Sequence, residues 1–207
     1  LRAALSDPAL TQKYGFDTLT IVSMFLPNTY EVFWDISPEK FLDRMHHEYK
    51  RFWNDERLGK AKAIGLTPVE VAILASIVEE EQARKPDERP RVAGLYLNRL
   101  RANMPLQADP TVKFALQDFG IKRILNEQLR VNSPYNTYQN TGLPPGPIRL
   151  ADQVSLDAVL NHESHNYIYM CAKADLSGYH AFTDNYTDHL LNARMYQMEL
   201  YKLNIKR

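Results

Sequence analysis

One stretch constrains this chain more than any other. Thr67-Pro68-Val69-Glu70 joins an N-cap threonine, a first-turn proline and a glutamate three residues after the cap, which together form a capping box. Behind it runs Val71-Ala72-Ile73-Leu74-Ala75-Ser76-Ile77-Val78, apolar on every side. A surface helix needs one polar face, so a helix built from this run must be wrapped by the rest of the domain. The spacing predicts a buried central helix over 67–84 with everything else packed around it.

Glu79-Glu80-Glu81-Gln82 follow directly. Successive helical residues project about 100° apart, so the three carboxyls cannot share one direction. Glu81 continues the stripe of Leu74, Ile77 and Val78, Glu79 continues Ala72, Ala75 and Ser76, and Glu80 follows Ile73, Ser76 and Ile77. A carboxyl set against an apolar stripe is partly desolvated and stays protonated near neutral pH, as a general acid requires. The bland alternative is a helix end that emerges into water with three solvated acids. Against it, acids at a helix C-terminus oppose the macrodipole. A carboxylate metal site is the third reading. Neighbouring glutamates lack the i, i+3 or i, i+4 spacing of helical ligand pairs, and no histidine is close in sequence.

Length and composition narrow the classes. The chain has 207 residues, enough for one compact domain, and 44% hydrophobic with 24% charged residues excludes global disorder. Its 25 Lys+Arg balance 25 Asp+Glu, so the basic excess of a nucleic-acid binder is missing. The single Cys171 excludes an intrachain disulfide scaffold and a cysteine-based zinc site. No run of about 18 uncharged apolar residues is present to span a bilayer, and no secretory signal pattern opens the chain. It starts at Leu1 and is read as a fragment. The 12 Tyr and 12 Pro suit a ligand of neutral, hydroxyl-rich units, although tyrosine is also a common core residue.

The remaining periodicities predict one or two helical turns in 1–14, a turn at Pro27-Asn28, and an extended piece from Trp34 to Ile36. Ser37-Pro38 opens a helix reaching about Asn54, with Phe41, Met45, Tyr49 and Phe52 inward. In a helix over 88–102, Val92, Leu95, Tyr96 and Leu100 face inward and Arg89, Arg91, Arg99 and Arg101 outward. Short helices are expected near 110–117 and 121–126, then a helix at 155–160, a hairpin of strands 167–172 and 179–183, and a closing helix over 187–203. The fold class is α+β, mostly helical, in a single domain over 1–207, with 1–20 as a lead-in. His46-His47 face apart on one helix, and a turn-like stretch separates His162 from His165; both pairs suit a surface role better than a metal.

Three polar loops carry the remaining signal. They are Leu106-Gln107-Ala108-Asp109-Pro110-Thr111, Tyr135-Asn136-Thr137-Tyr138, and Thr141-Gly142-Leu143-Pro144-Pro145-Gly146-Pro147-Ile148. Taken singly, each could be a surface loop. In this order, behind Ala75–Glu81 and Asn98-Arg99-Leu100 and before His180-Ala181-Phe182, they resemble the endolytic murein transglycosylases of the YceG-like (MltG) family. The resemblance covers roughly residues 25–195, and the five ordered motifs that precede His180-Ala181-Phe182 make it specific.

The resemblance implies a lysozyme-like catalytic core and a peptidoglycan lytic transglycosylase that cuts within glycan strands without a cofactor. It also implies a catalytic domain on the outer face of the cytoplasmic membrane, preceded by an N-terminal anchor and a LysM-like region, both outside this chain. Partners would be peptidoglycan strands and envelope or cell-wall synthesis proteins, with no nucleic acid. The family's catalytic glutamate is the last of a Glu-x-Glu pair, here Glu81 with Glu79 as the first; Glu80, also acidic, leaves a one-residue ambiguity that the stripe argument resolves towards Glu81. Expected supporting residues are Glu79, Asn98, Gln107, Asp109 and Thr111. Expected substrate contacts are Tyr135, Asn136, Thr137, Tyr138, Gly142, Leu143, Pro144, Pro145 and Gly146. Asn98 either orients Glu81 or satisfies backbone. Were Asp109 to face Glu81 across a cleft, a two-carboxylate muramidase would be the better reading. A non-catalytic glycan-binding envelope domain is the alternative from a different class.

Overall fold

The computed structural model describes residues 1–121 and 124–203. Nine α-helices and one hairpin are found among them, in the order α1 (Arg2–Leu5), α2 (Pro8–Lys13), α3 (Pro38–Phe52), α4 (Asp55–Ala63), α5 (Pro68–Glu81), α6 (Arg89–Arg101), α7 (Asp109–Leu116), α8 (Gln153–Leu160), β1 (Tyr169–Ala172), β2 (His180–Thr183) and α9 (Tyr186–Lys202). Three-residue to four-residue 3-10 turns lie at Ile21–Met24, Pro86–Glu88 and Gln128–Arg130. The arrangement is mostly helical α+β.

Helix α5 is the axis. The Thr67 hydroxyl accepts from the Glu70 amide while the Glu70 carboxylate accepts from Thr67 N at 2.7 Å, so the capping box is closed in both directions. Every residue from Val71 to Glu79 is buried, and α4, α6, α7 and α8 pack around it. Eight of these nine side chains are small or aliphatic; removing them from water is the main favourable term, at about 25 cal/mol per Å² of apolar surface. A second, smaller core joins Tyr14, Phe16, Ile21 and Met24 to Leu42 and Met45 of α3, which fastens the lead-in to the domain.

The hairpin pairs Tyr169 with Thr183 and Ala172 with His180, and α9 packs on it. Its strands are shorter than the expected 167–172 and 179–183: β1 begins only at Tyr169 and β2 at His180.

Some expectations fail. Helix α4 was not foreseen, since only Ala61 of its residues is buried and it carries little apolar periodicity. Its start is nevertheless written locally: the Asn54 side chain accepts from Arg57 N at 3.0 Å, and Asp55 and Glu56 occupy the first turn. Trp34–Ile36 forms a turn rather than an extended piece, closed by Ile36 N donating to Phe33 O at 3.1 Å. Of the short helix expected at 121–126, residues 122 and 123 lie outside the described residues; 124 and 125 are irregular, and a turn at 126–127 leads into the 3-10 turn at Gln128–Arg130. Arg89 and Arg99, expected outward, are 5% and 7% exposed. Arg99 falls three residues after Tyr96 and seven after Val92, on the inward stripe, so the periodicity held this information and charge alone argued against it.

Candidate functional site

Helix α5 ends at Glu81, and the three glutamates diverge as helical geometry requires. Glu80 is exposed and meets Arg149 at 2.5 Å. Glu79 is buried; it pairs with Arg149 at 3.0 Å and accepts the Asp152 amide at 2.7 Å, which ties the start of α8 to the axis. Glu81 alone opens into a cleft of about 220 Å³ lined also by Leu95, Tyr96, Arg99, Leu106, Gln107, Asp109, Tyr138, Met170 and His189. Its Oε2 is buried without a hydrogen-bond partner, while the side chain as a whole keeps partial access to the cleft.

This environment holds the proton. Burial raises the Glu81 pKa to about 7, and the Asp109 carboxylate adds to the rise; His180, Lys113 and the Tyr96 hydroxyl act in the opposite direction. A carboxyl poised there is protonated in much of the population at neutral pH and can also leave as a carboxylate.

The loop 106–109 is shaped from beneath. Arg99 donates to Ile168 O at 2.7 Å, to Pro105 O and Leu106 O at 3.0 Å each, and to the Gln107 side chain at 3.1 Å. Gln107 takes φ of 54°, a left-handed conformation that a non-glycine residue adopts only when its surroundings impose it. Here Arg99 and the Gln107 N to Thr137 O bond do so. Asp109 opens α7 and accepts from the Tyr138 hydroxyl at 2.6 Å. Burial, and then that bond, push the Tyr138 phenol well up, so it remains a donor.

Other expected residues stand elsewhere. Thr111 and Thr137 are buried against each other at 2.8 Å, and both bond to Ala108; they hold the loop and do not face the cleft. Asn136 is fully buried, donating to Leu129 O and Val131 O at 2.9 Å and accepting from Tyr138 N. Tyr135 packs on Phe114, away from Glu81. The segment Gly142-Leu143-Pro144-Pro145-Gly146 does not line the Glu81 cleft. It runs towards the middle of α5, where Ile148 N donates to the Ser76 hydroxyl at 3.1 Å. A Cβ at Gly146 would sit 2.7 Å from Leu19 O, so this glycine permits a close approach of backbone to backbone. Asn98 donates to His165 O at 2.7 Å and Tyr167 O at 3.1 Å and does not reach the cleft.

The structure adds Tyr96, Arg99, Met170 and His189 to the site. Tyr96 and Arg99 were readable as stripe positions on α6. Met170 and His189 sit on the hairpin and α9, which only tertiary packing brings to the end of α5. His46 packs on Tyr14 and Tyr49, and His165 accepts the Tyr167 amide and meets Arg91 O, so both rings are used in packing and loop bonds. Among the described residues no group of three His, Cys, Asp or Glu side chains is arranged to hold a metal.

With this geometry in view, comparison with known proteins is informative. The chain is 43% identical over 116 residues to an endolytic murein transglycosylase of Bacillus subtilis, which covers 56% of this chain and 31% of that protein. It is 36% identical over 135 residues to an endolytic murein transglycosylase of Streptococcus pneumoniae, covering 62% of this chain and 24% of that protein. The matched region is thus a third or less of the length of these relatives. A crystal structure of a yceG-like protein from Listeria monocytogenes superposes with a TM-score of 0.76 at 27% identity, over 91% of this chain and 65% of that one. Residues 3–195, most of the fold just described, match the YceG-like family, and the chain belongs to that family.

Proposed function

We propose that this chain is the catalytic region of a peptidoglycan lytic transglycosylase in the cell envelope, with Glu81 as its acid and base. The observation that carries the reading is the Glu81 carboxyl: one oxygen buried and unpartnered, the pKa raised to about 7, at the end of a rigid helix in an open cleft. The names of the relatives support the same substrate and reaction class.

In this mechanism Glu81 gives its proton to the oxygen linking N-acetylmuramic acid to N-acetylglucosamine. The glycosidic C–O bond breaks, and the leaving sugar departs as a neutral alcohol. The Glu81 carboxylate then takes the proton of the muramoyl C6 hydroxyl, whose oxygen bonds to C1 and closes a 1,6-anhydro ring. Glu81 ends protonated, and no water is consumed. Because the nucleophile belongs to the same sugar, one enzyme carboxyl suffices and high effective concentration replaces a bound water. Asp109 and the Tyr138 hydroxyl, which line the cleft, are positioned to stabilise the oxocarbenium-like charge. Placement on the outer face of the cytoplasmic membrane belongs to the same proposal.

The shared cleft also favours a second reading. Asp109 lies in the same cleft as Glu81, and its charge reaches the Glu81 carboxyl, which a two-carboxylate muramidase requires. Its Oδ1, however, is occupied by Tyr138. Mass spectrometry of digested peptidoglycan separates the readings: anhydro-muramoyl ends are expected, and reducing-end muramic acid would establish the hydrolase instead. Absence of any cleavage would leave a glycan-binding domain.

Two outcomes follow from the electrostatics. The acid step needs protonated Glu81, so kcat/KM should lose activity above about pH 7, tending to tenfold per pH unit. Asp109→Asn removes a negative charge that raises the Glu81 pKa, so this alkaline limb should move to lower pH. A transglycosylase would keep its anhydro product in that variant, measured on the same digests.

A further inference from the structure

Gln82, the residue after Glu81, is 2% exposed and leaves the helix with φ of −125° and ψ of 68°. Each of its polar groups is engaged. The backbone N–H bonds to Val78 O, and the carbonyl accepts from Arg89 Nε at 3.0 Å. The side-chain oxygen accepts from Lys85 N at 3.1 Å, and the amide nitrogen donates to Gly178 O at 3.2 Å and to the Glu88 carboxylate. Glu88 is 4% exposed and in turn takes both the His180 amide at 2.9 Å and the His180 ring Nδ1 at 2.8 Å. The ring itself lies 3.2 Å from the Gln82 amide nitrogen. The helix end, the 86–88 turn and the hairpin therefore meet in one buried knot next to the Glu81 position.

We infer that Glu88 and His180, joined through Gln82, form a positioning unit that fixes the helix end from which the Glu81 carboxyl projects and keeps the His180 ring beside it. The inference rests on the reading of Glu81 as the acid, and nothing above needed the knot for the reaction.

The geometry argues for more than a fold brace. A buried carboxylate costs several kcal/mol unless it is paired and hydrogen-bonded, and hydrophobic packing could have closed the same gap. Here the carboxylate is paired with a titratable ring from a different element, at the tip of the helix that ends in Glu81. The knot also keeps its charge: burial alone would raise the Glu88 carboxyl, yet the His180 and Gln82 hydrogen bonds leave it below its ordinary value. His180 draws the Glu81 pKa down against burial and Asp109. The other groups that face Glu81 are Tyr96 and Arg99 from α6, Asp109 and Lys113 from α7, Tyr138 from its loop and His189 from α9.

The test compares His180→Gln and Glu88→Gln with the parent chain, reading activity on peptidoglycan and, independently, the Glu81 carboxyl by ¹³C NMR of δ-labelled glutamate, its resonance assigned by loss in Glu81→Gln. His180→Gln should lower kcat by about tenfold or more with little change in KM, since a small displacement of a reacting group is costly. In the NMR titration Glu81 should move to higher pH in both variants, because one removes the ring that lowers its pKa and the other the carboxylate that holds that ring in place. A merely structural knot would lower thermal stability and activity while leaving the Glu81 titration where it was, and that result overturns the inference. If His180→Gln does not fold, Glu88→Gln, which keeps an oxygen acceptor for the His180 amide, carries the same decision. Full activity of Glu81→Gln would instead refute the assignment of the acid, and the NMR titration would still report on the knot.

Discussion

Glu81→Gln should reduce transglycosylase activity by about 10³-fold or more, while Glu79→Gln and Glu80→Gln retain far more. A positioned general acid contributes about 10²–10⁴-fold, and in the proposed mechanism one group serves both proton transfers, so its loss falls at the upper part of that range. Glu80 is solvated and Glu79 is committed to Arg149 and the Asp152 amide, so neither can substitute. Digestion kinetics on purified peptidoglycan check the ranking. The same variant should be more stable than the parent at high pH. The Glu81 pKa is about 7 when folded against an ordinary 4.5, so the unfolded chain loses this proton first. The folded state accordingly binds the extra proton between those values, and its stability falls as pH rises through that window, by on the order of 1–3 kcal/mol in total. Replacement by glutamine removes that cost. Urea denaturation should find Glu81→Gln stabilised at pH 8 and close to the parent below pH 4.5; equal stability at both pH values would contradict the desolvated carboxyl.

Arg99→Ala should cost about 3–5 kcal/mol of folding stability and most of the activity. Arg99 is 7% exposed, and its guanidinium is bonded to three backbone carbonyls and to the Gln107 side chain. Removing it strands those acceptors and releases Gln107 from its left-handed conformation, next to the Asp109 that opens α7. Arg99→Lys should recover only part of the loss, because a point charge cannot reproduce the planar fork that serves Ile168, Pro105, Leu106 and Gln107 together. Urea denaturation gives the stability change. Activity lost by Arg99→Lys without matching destabilisation would show that the fork also sets the cleft.

Much of the axis was legible without coordinates. The capping box at Thr67–Glu70 and the unbroken apolar run specify a buried helix because both signals are local, and the 100° rotation per residue separates Glu79, Glu80 and Glu81 before any packing is known. The structure places them as that rotation requires: one paired and buried, one solvated, one opening into the cleft. The order of the loop motifs identified the family, which the match over residues 3–195 establishes and extends towards the N-terminus.

What the loops do was decided only in three dimensions. Within Tyr135-Asn136-Thr137-Tyr138, Asn136 and Thr137 turn inward to satisfy buried backbone and only Tyr138 reaches the cleft. No periodicity governs such a segment. Each side chain points wherever distant carbonyls and amides need a partner, because an unpaired buried polar group is costly. Arg99 points inward for a related reason: its charge favours water, while its helical position puts it beneath a loop whose carbonyls require a donor. The sequence by itself determined where the acid stands on its helix. Tertiary structure alone determined what surrounds that acid, since desolvation and the charges of Asp109, Lys113 and His180 come from segments distant in the chain.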